Sequence, residues 1–151
     1  MFALPRVKNS VNATSYEGPN MPEHQNCPFC RSRNIVIENE LAYADYDSYP
    51  VSPGHCLIIT HRHVAEYFQA TAEEKAAIWA LVDEMKVIID RDYKPDGYNI
   101  GVNIGKAGGQ SVPHIHVHMI PRYTGDMENP KGGVRGVIPH KQKYEKRKHS
   151  A

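Results

Sequence analysis

The chain has 151 residues, 40% hydrophobic and 23% charged, with a formal net charge of +1. That size and composition describe one folded domain able to bury a real core, and the small net charge excludes a whole-molecule field for nucleic acid or anionic membrane. No apolar run is long enough to span a bilayer, and Pro5 interrupts an opening too short for a secretory signal, so the expected setting is cytoplasmic, with no nucleic-acid or membrane partner.

Residues 1–25 mix Asn, Ser, Gly and Pro without an apolar period and read as a loose N-terminal arm. Cys27-Pro28-Phe29-Cys30 follows, a spacing that points to metal rather than a disulfide in a chain without an export signal. Ile35-Val36-Ile37 and the stretch Leu41 to Tyr46, separated by Glu38-Asn39-Glu40, predict a hairpin. Pro50, Pro53 and Gly54 mark a loop before the apolar run His55 to Thr60, which predicts a buried strand with Cys56 in the core. His61 is expected in solvent, and a short helical turn is expected after His63.

Thr71-Ala72-Glu73-Glu74 fits a capping box that opens the one long helix. Ile78, Leu81, Val82, Met85, Ile88 and Ile89 recur at spacings of three and four and form one stripe, and the helix should stop between Asp90 and Asp92. Pro95-Asp96-Gly97 turns the chain into a strand from Tyr98 to Ile104, with Tyr98, Ile100, Val102 and Ile104 on one face. After a glycine-rich loop, His114 to Ile120 predicts the last main strand. From Lys131 onward, Lys131, Arg135, Lys141, Lys143, Lys146, Arg147 and Lys148 stand against Glu145 alone, which makes residues 126–151 a basic C-terminal tail. The expected fold is therefore α+β: a largely antiparallel sheet of about five strands, one long helix and a short second helix.

The segment Pro113-His114-Ile115-His116-Val117-His118 carries the chemistry. A strand sends alternate side chains to opposite faces, so His114, His116 and His118 project together while Ile115, Val117 and Met119 face the core. Packing alone does not favour a row of polar imidazoles that all need partners or solvent. Neighbouring members lie about 7 Å apart and the outer two about 13 Å, so three ligands to one ion are awkward on a straight strand. A division of labour fits better, with the central imidazole as a nucleophile whose other nitrogen is hydrogen-bonded. Gly105, Gly108 and Gly109 bring backbone amides close to a ligand, and Gln110 and Ser111 add donors, a combination suited to phosphate.

His114-Ile115-His116-Val117-His118-Met119-Ile120, led by Gly109-Gln110-Ser111-Val112, resembles the signature of the histidine-triad (HIT) family. Asp47 followed by Pro53-Gly54-His55, and Asn103-Ile104-Gly105 ahead of the loop, match the family as well. The resemblance covers about Cys27 to Arg122 and implies a HIT domain over residues 26–125 that opens on a zinc knuckle. It implies that His116 attacks an α-phosphorus and forms a nucleotidyl-histidine intermediate that water hydrolyses. It further implies that Asn103, Gly109, Gln110, Ser111 and His118 hold the phosphate or leaving group, that His55 lines the site, and that Asp47 binds the ribose. Catalytic roles then fall on His116, His118, His55 and Gln110, in a homodimer whose two sheets join. Zinc-bearing relatives use two cysteines, a histidine after the third strand and the first triad histidine. Here those are Cys27, Cys30, His63 and His114, which implies one structural zinc per chain. The alternative is a reduced cysteine pair without metal.

Pro121-Arg122 after the triad is similar to the Fhit-like branch, and the segment Asn129 to Pro139 to prokaryotic diadenosine tetraphosphate hydrolases. A Hint-like tryptophan ending is missing, since the only tryptophan is Trp79. The resemblance therefore implies dinucleoside polyphosphate cleavage, with Lys106, Arg122, Lys131 and Arg135 as candidates to meet the added charge. Rival readings are a Hint-like purine nucleoside phosphoramidase, a metal-dependent hydrolase using His114 and His116 as ligands, and a nucleotide-binding regulatory module.

Overall fold

The computed structural model describes residues 26–31 and 34–144; the N-terminal arm read over residues 1–25 and the last residues of the basic tail lie outside them. A one-turn helix, α1 (Pro28–Arg31), precedes the hairpin of β1 (Ile37–Glu38) and β2 (Ala42–Tyr46). Then come β3 (Cys56–Thr60), the long helix α2 (Ala72–Asp92), β4 (Gly97–Val102) and β5 (His116–Arg122). All four pairings are antiparallel and the strand order is β1-β2-β3-β5-β4. The expected five-stranded α+β architecture is therefore what the chain adopts.

Strand ends differ from expectation. The β4 strand stops at Val102, so Asn103 and Ile104 already belong to the loop. The β5 strand starts at His116 and runs to Arg122, which leaves His114 just ahead of it. Hydrophobic alternation continues past the last ladder hydrogen bond in one case and starts before the first in the other, so pattern alone overruns the strand. The short helical turn after His63 is a 3-10 turn over Tyr67–Gln69. In the tail, two further 3-10 turns occupy Gly133–Val137 and Pro139–Lys141.

Each face of the sheet has its own work. Ala42, Ala44, Cys56, Ile58, Val117 and Met119 meet Ile78, Leu81, Val82, Met85 and Ile89 of α2 in the main core. Burying a side chain of that size contributes about 1.5–3 kcal/mol each, which fixes the helix on this face. The opposite face holds Tyr43, Leu57 and Ile59, with Phe29 packed on them. The register sets Ile59 opposite His116 and Leu57 opposite His118, so the triad histidines share this second face.

The α2 helix begins as its sequence requires. Thr71 accepts from the Glu74 amide at 3.1 Å and Glu74 accepts from the Thr71 amide at 2.9 Å, closing the capping box. The same Glu74 carboxylate takes two bonds from Arg62, at 2.7 and 2.8 Å, although it is only 4% exposed. The Arg62 bonds hold the Glu74 carboxyl below the usual glutamate range against the opposing effect of burial. This ties the loop after β3 to the helix start.

Replacing Glu74 with Ala should therefore cost about 1–2 kcal/mol in urea unfolding at neutral pH, from the lost capping box and the lost Arg62 bonds. Because the folded pKa is depressed, this stabilisation is present above the ordinary glutamate value and is lost as pH falls through the folded one. The difference between wild type and Glu74→Ala should shrink accordingly in acid.

Candidate active site

The geometry is built around His116, which is 5% exposed on β5. Its Nδ1 lies 2.8 Å from the His114 carbonyl oxygen, which can only accept, so the ring proton sits on Nδ1. The lone pair is left on Nε2, the tautomer a nucleophilic histidine needs. The Phe29 ring packs at 5.1 Å and the His118 ring at 5.2 Å, centroid to centroid.

A second set of hydrogen bonds fixes the protons behind His118. The loop between β2 and β3 closes through the bond from the Asp47 amide to the His55 carbonyl, so these two residues flank its base. Gly54 turns the chain into His55 at φ +82°, and an added Cβ would meet the Tyr93 ring at 3.1 Å. The Val51 amide donates to His55 Nδ1 at 3.2 Å, which puts the His55 proton on Nε2. That Nε2 lies 3.0 Å from His118 Nδ1 and 3.5 Å from Asp47 Oδ2. His118 therefore accepts on Nδ1 and carries its own proton on Nε2. Burial pushes the His118 pKa down to about 4, helped by the neighbouring His116 and His55, with Asp47 acting the other way. Burial likewise lowers His55, against Asp47. Both rings are neutral at pH 7.

The donor atoms of Asp47, His55 and His118 lie within 4.8 Å of one another, as in a cation site. The Val51 amide speaks against that use. A cation on His55 Nε2 would require the ring proton on Nδ1, facing the Val51 N–H. The trio behaves as a hydrogen-bonded relay.

The glycine-rich loop leads into β5 through a 3-10 turn over Lys106–Gly108. Gly109 sits at φ +84°, and no atom lies within 4 Å of where its Cβ would be, so its backbone faces open space. Gln110 braces this loop: its side-chain oxygen accepts from the Gly105 amide at 2.9 Å, and its side-chain amide donates to the carbonyls of Ala65 and Val112. Ser111 and Gly109 are exposed and Asn103 is half-buried beyond β4. Of the cations proposed for a polyphosphate, Arg122 is bonded to Asp126 at 2.7 and 2.8 Å and also to Asn99. Arg135 donates to the Lys141 carbonyl, and both Arg135 and Lys131 lie over the Tyr144 ring. Lys106 is exposed on the loop itself.

Cys27, Cys30, His63 and His114 converge from three separate segments. His114 Nδ1 is 3.4 Å from Cys27 Sγ and 3.5 Å from Cys30 Sγ, and His63 Nδ1 is 3.4 Å from Cys30 Sγ. A tetrahedral ion with Zn–S and Zn–N bonds of ordinary length has N···S edges of about 3.6 Å, so the four fit one. The tautomer agrees, because His114 Nε2 donates to the Thr60 carbonyl at 2.8 Å and leaves the Nδ1 lone pair for a metal. Four protein ligands close the set, and His114 is turned to the cysteines rather than sharing an open site with His116.

Three contributors escaped the sequence reading. Phe29 could have been noticed inside the Cys-x-x-Cys segment and Thr60 just before His61-Arg62-His63, whereas Val51 acts through its backbone amide and leaves no side-chain signal. His61, expected in solvent, is half-buried with Nε2 3.1 Å from the Asn39 carbonyl, because its ring packs against Tyr43.

The family model for the HIT domain matches residues 31–125. An AP-4-A phosphorylase of Mycobacterium tuberculosis is 37% identical over 93 residues, covering 61% of this chain and 48% of that protein. A bis(5'-adenosyl)-triphosphatase of Dictyostelium discoideum is 33% identical over 99 residues, covering 66% of each. The chain thus spans about half the length of the first of these relatives. Among solved structures, a HIT family protein of Bacillus anthracis superposes with a TM-score of 0.63 at 33% identity, covering 67% of this chain and 76% of that one. A Zn-bound histidine triad family protein of Mycobacterium smegmatis gives 0.64 at 28%, covering 70% and 81%. With the family model matched across the strand of histidines and the relay behind it, this chain belongs to the histidine-triad family.

Proposed function

We propose that the protein transfers a nucleotidyl group to His116 and on to water, with a dinucleoside polyphosphate as substrate. The observation that carries this is the proton placement: His116 presents a bare Nε2 and its neighbour His118 presents an Nε2–H. His116 Nε2 attacks the α-phosphorus, the bond from phosphorus to the bridging oxygen breaks, and the remaining nucleotide leaves. His118 donates a hydrogen bond from Nε2 to the developing charge, with His55 and Asp47 holding it in that tautomer. A phosphoanhydride leaving group departs as an anion and needs a donor rather than a proton, which suits a histidine that is neutral at pH 7. Water then cleaves the phosphorus–nitrogen bond and frees His116.

The names of two relatives, a phosphorylase of AP-4-A and a bis(5'-adenosyl)-triphosphatase, support the substrate class. Asp47 is offered to the ribose hydroxyls, and Asn103, Gly109 and Ser111 to the phosphate. Gln110, whose amide braces the loop, acts by holding those amides in place. We assign zinc to Cys27, Cys30, His63 and His114, where it supplies a cross-link between the N-terminal turn and the residue that hydrogen-bonds His116. A homodimer is inferred from β4, an outer strand of the sheet whose Gly101 pairs with His118. Among the described residues, no helix is long and apolar enough to cross a membrane.

Incubation with diadenosine tetraphosphate should release AMP, and His116→Ala should lower the rate by at least about 10⁴-fold while still binding AMP. A variant as fast as wild type would remove His116 from the mechanism, and turnover of an adenosine phosphoramidate alone would move the substrate to that class. ADP rather than AMP in phosphate buffer would identify a phosphorylase.

The relay also predicts a titration. The His118 ring signals in NMR should have a midpoint near 4 rather than at the usual histidine value. Asp47→Asn should lower it further, since the carboxylate raises it. The folded pKa lies below the unfolded one, so this histidine stabilises the fold above about pH 6.5 and loses that contribution as pH falls toward 4.

A further inference from the structure

Phe29 lies between the two candidate metal-binding cysteines and against the nucleophile. Its ring centroid is 5.1 Å from that of His116, tilted by 58°, and 5.9 Å from that of His114, edge-on. On its other side it packs on Tyr43, Leu57 and Ile59, and its carbonyl accepts from the Tyr43 hydroxyl at 2.7 Å.

A turn of four residues does not hold its shape alone. At the start of α1 the amides of Cys30 and Arg31 donate to the Cys27 carbonyl. What anchors the turn to the sheet is the pair of sulfurs, directed at His63 and His114, together with the Tyr43 clamp. The His116 ring is in turn held on one edge by the His114 carbonyl and against its neighbours by Phe29 and His118. Without the Phe29 ring, that edge bond and the His118 contact would have to set the direction of Nε2.

We infer that Phe29 is a positioning residue through which the metal-bound turn holds His116 in its attacking orientation. The inference rests on His116 being the nucleophile. It makes the metal more than a fold staple: occupancy of the cysteine pair is read at the reacting nitrogen through one aromatic ring, in parallel with the path along the His114 backbone.

Two readouts on the full chain test it. With Trp79→Phe as background, Phe29→Trp supplies a single emission reporter. Stripping metal should shift its emission, and Zn²⁺ alone should restore it at one equivalent per chain. In steady-state kinetics, Phe29→Ala should lower kcat about 10–100-fold with KM changed less than about threefold, the signature of lost orientation rather than lost uniform binding. Phe29→Tyr, which keeps the ring, should recover kcat to within about threefold of wild type by the same criterion. Stripping metal should cost Phe29→Ala less than it costs wild type, since the two act on one path. Tryptophan emission indifferent to metal would overturn the inference. So would a folded, fully metal-loaded Phe29→Ala with the wild-type kcat, or one with only its KM raised. If wild type cleaves neither a dinucleotide nor a phosphoramidate, the proposed function fails, and the emission response to Zn²⁺ still decides whether Phe29 follows the metal.

Discussion

The hydrogen bond from His116 Nδ1 to the His114 carbonyl is the interaction on which the site depends. A backbone carbonyl cannot donate, so it dictates where the His116 proton resides and which nitrogen is free to react. The same reasoning runs outward through the other rings. Thr60 fixes His114 with its lone pair toward the cysteines, Val51 fixes His55, and His55 fixes His118. Four imidazoles of one chemical kind are set apart because three meet different backbone groups and the fourth, His118, meets the His55 ring.

Holding those rings in register is the work of the rest of the domain. The two-residue period of β5 separates Val117 and Met119, buried under α2, from His116 and His118 on the opposite face. The core on one face therefore sets the height of the histidines on the other. The loop after β3 is held by the Arg62–Glu74 pair and carries His63 to the Cys27, Cys30 and His114 cluster and the Ala65 carbonyl to Gln110. The Val64 carbonyl in the same loop accepts from the Ile115 amide at 2.8 Å, just ahead of the reactive strand. The Cys/His cluster, the glycine-rich loop and His116 are thus joined through one short segment.

Much of this was legible in the sequence because it rests on period and side-chain chemistry. The alternation around His116, the stripe from Ile78 to Ile89 and the box from Thr71 to Glu74 each signal their element directly, and the structure reproduces them. Cys27, Cys30, His63 and His114 are legible as a group by resemblance, and the fold brings them together. What sequence could not carry was direction. Gln110 reads as a phosphate donor, yet its amide spends both hydrogens on loop carbonyls. Arg122 reads as a free cation, yet Asp126 and Asn99 hold it, one from the following turn and one from the neighbouring strand. The relay depends on the amide of Val51, which no side chain announces.

The central claim is a covalent bond between a nucleotide and His116 Nε2, and it is tested most directly by trapping that bond. Protein mixed with diadenosine tetraphosphate, quenched in alkali within one turnover and digested, should yield a peptide containing His116 that carries one adenylyl group. The same experiment with Asp47→Asn or His55→Gln should slow formation of the adduct without moving it. An adduct on another residue, or efficient turnover with no adduct at any quench time, would contradict the account.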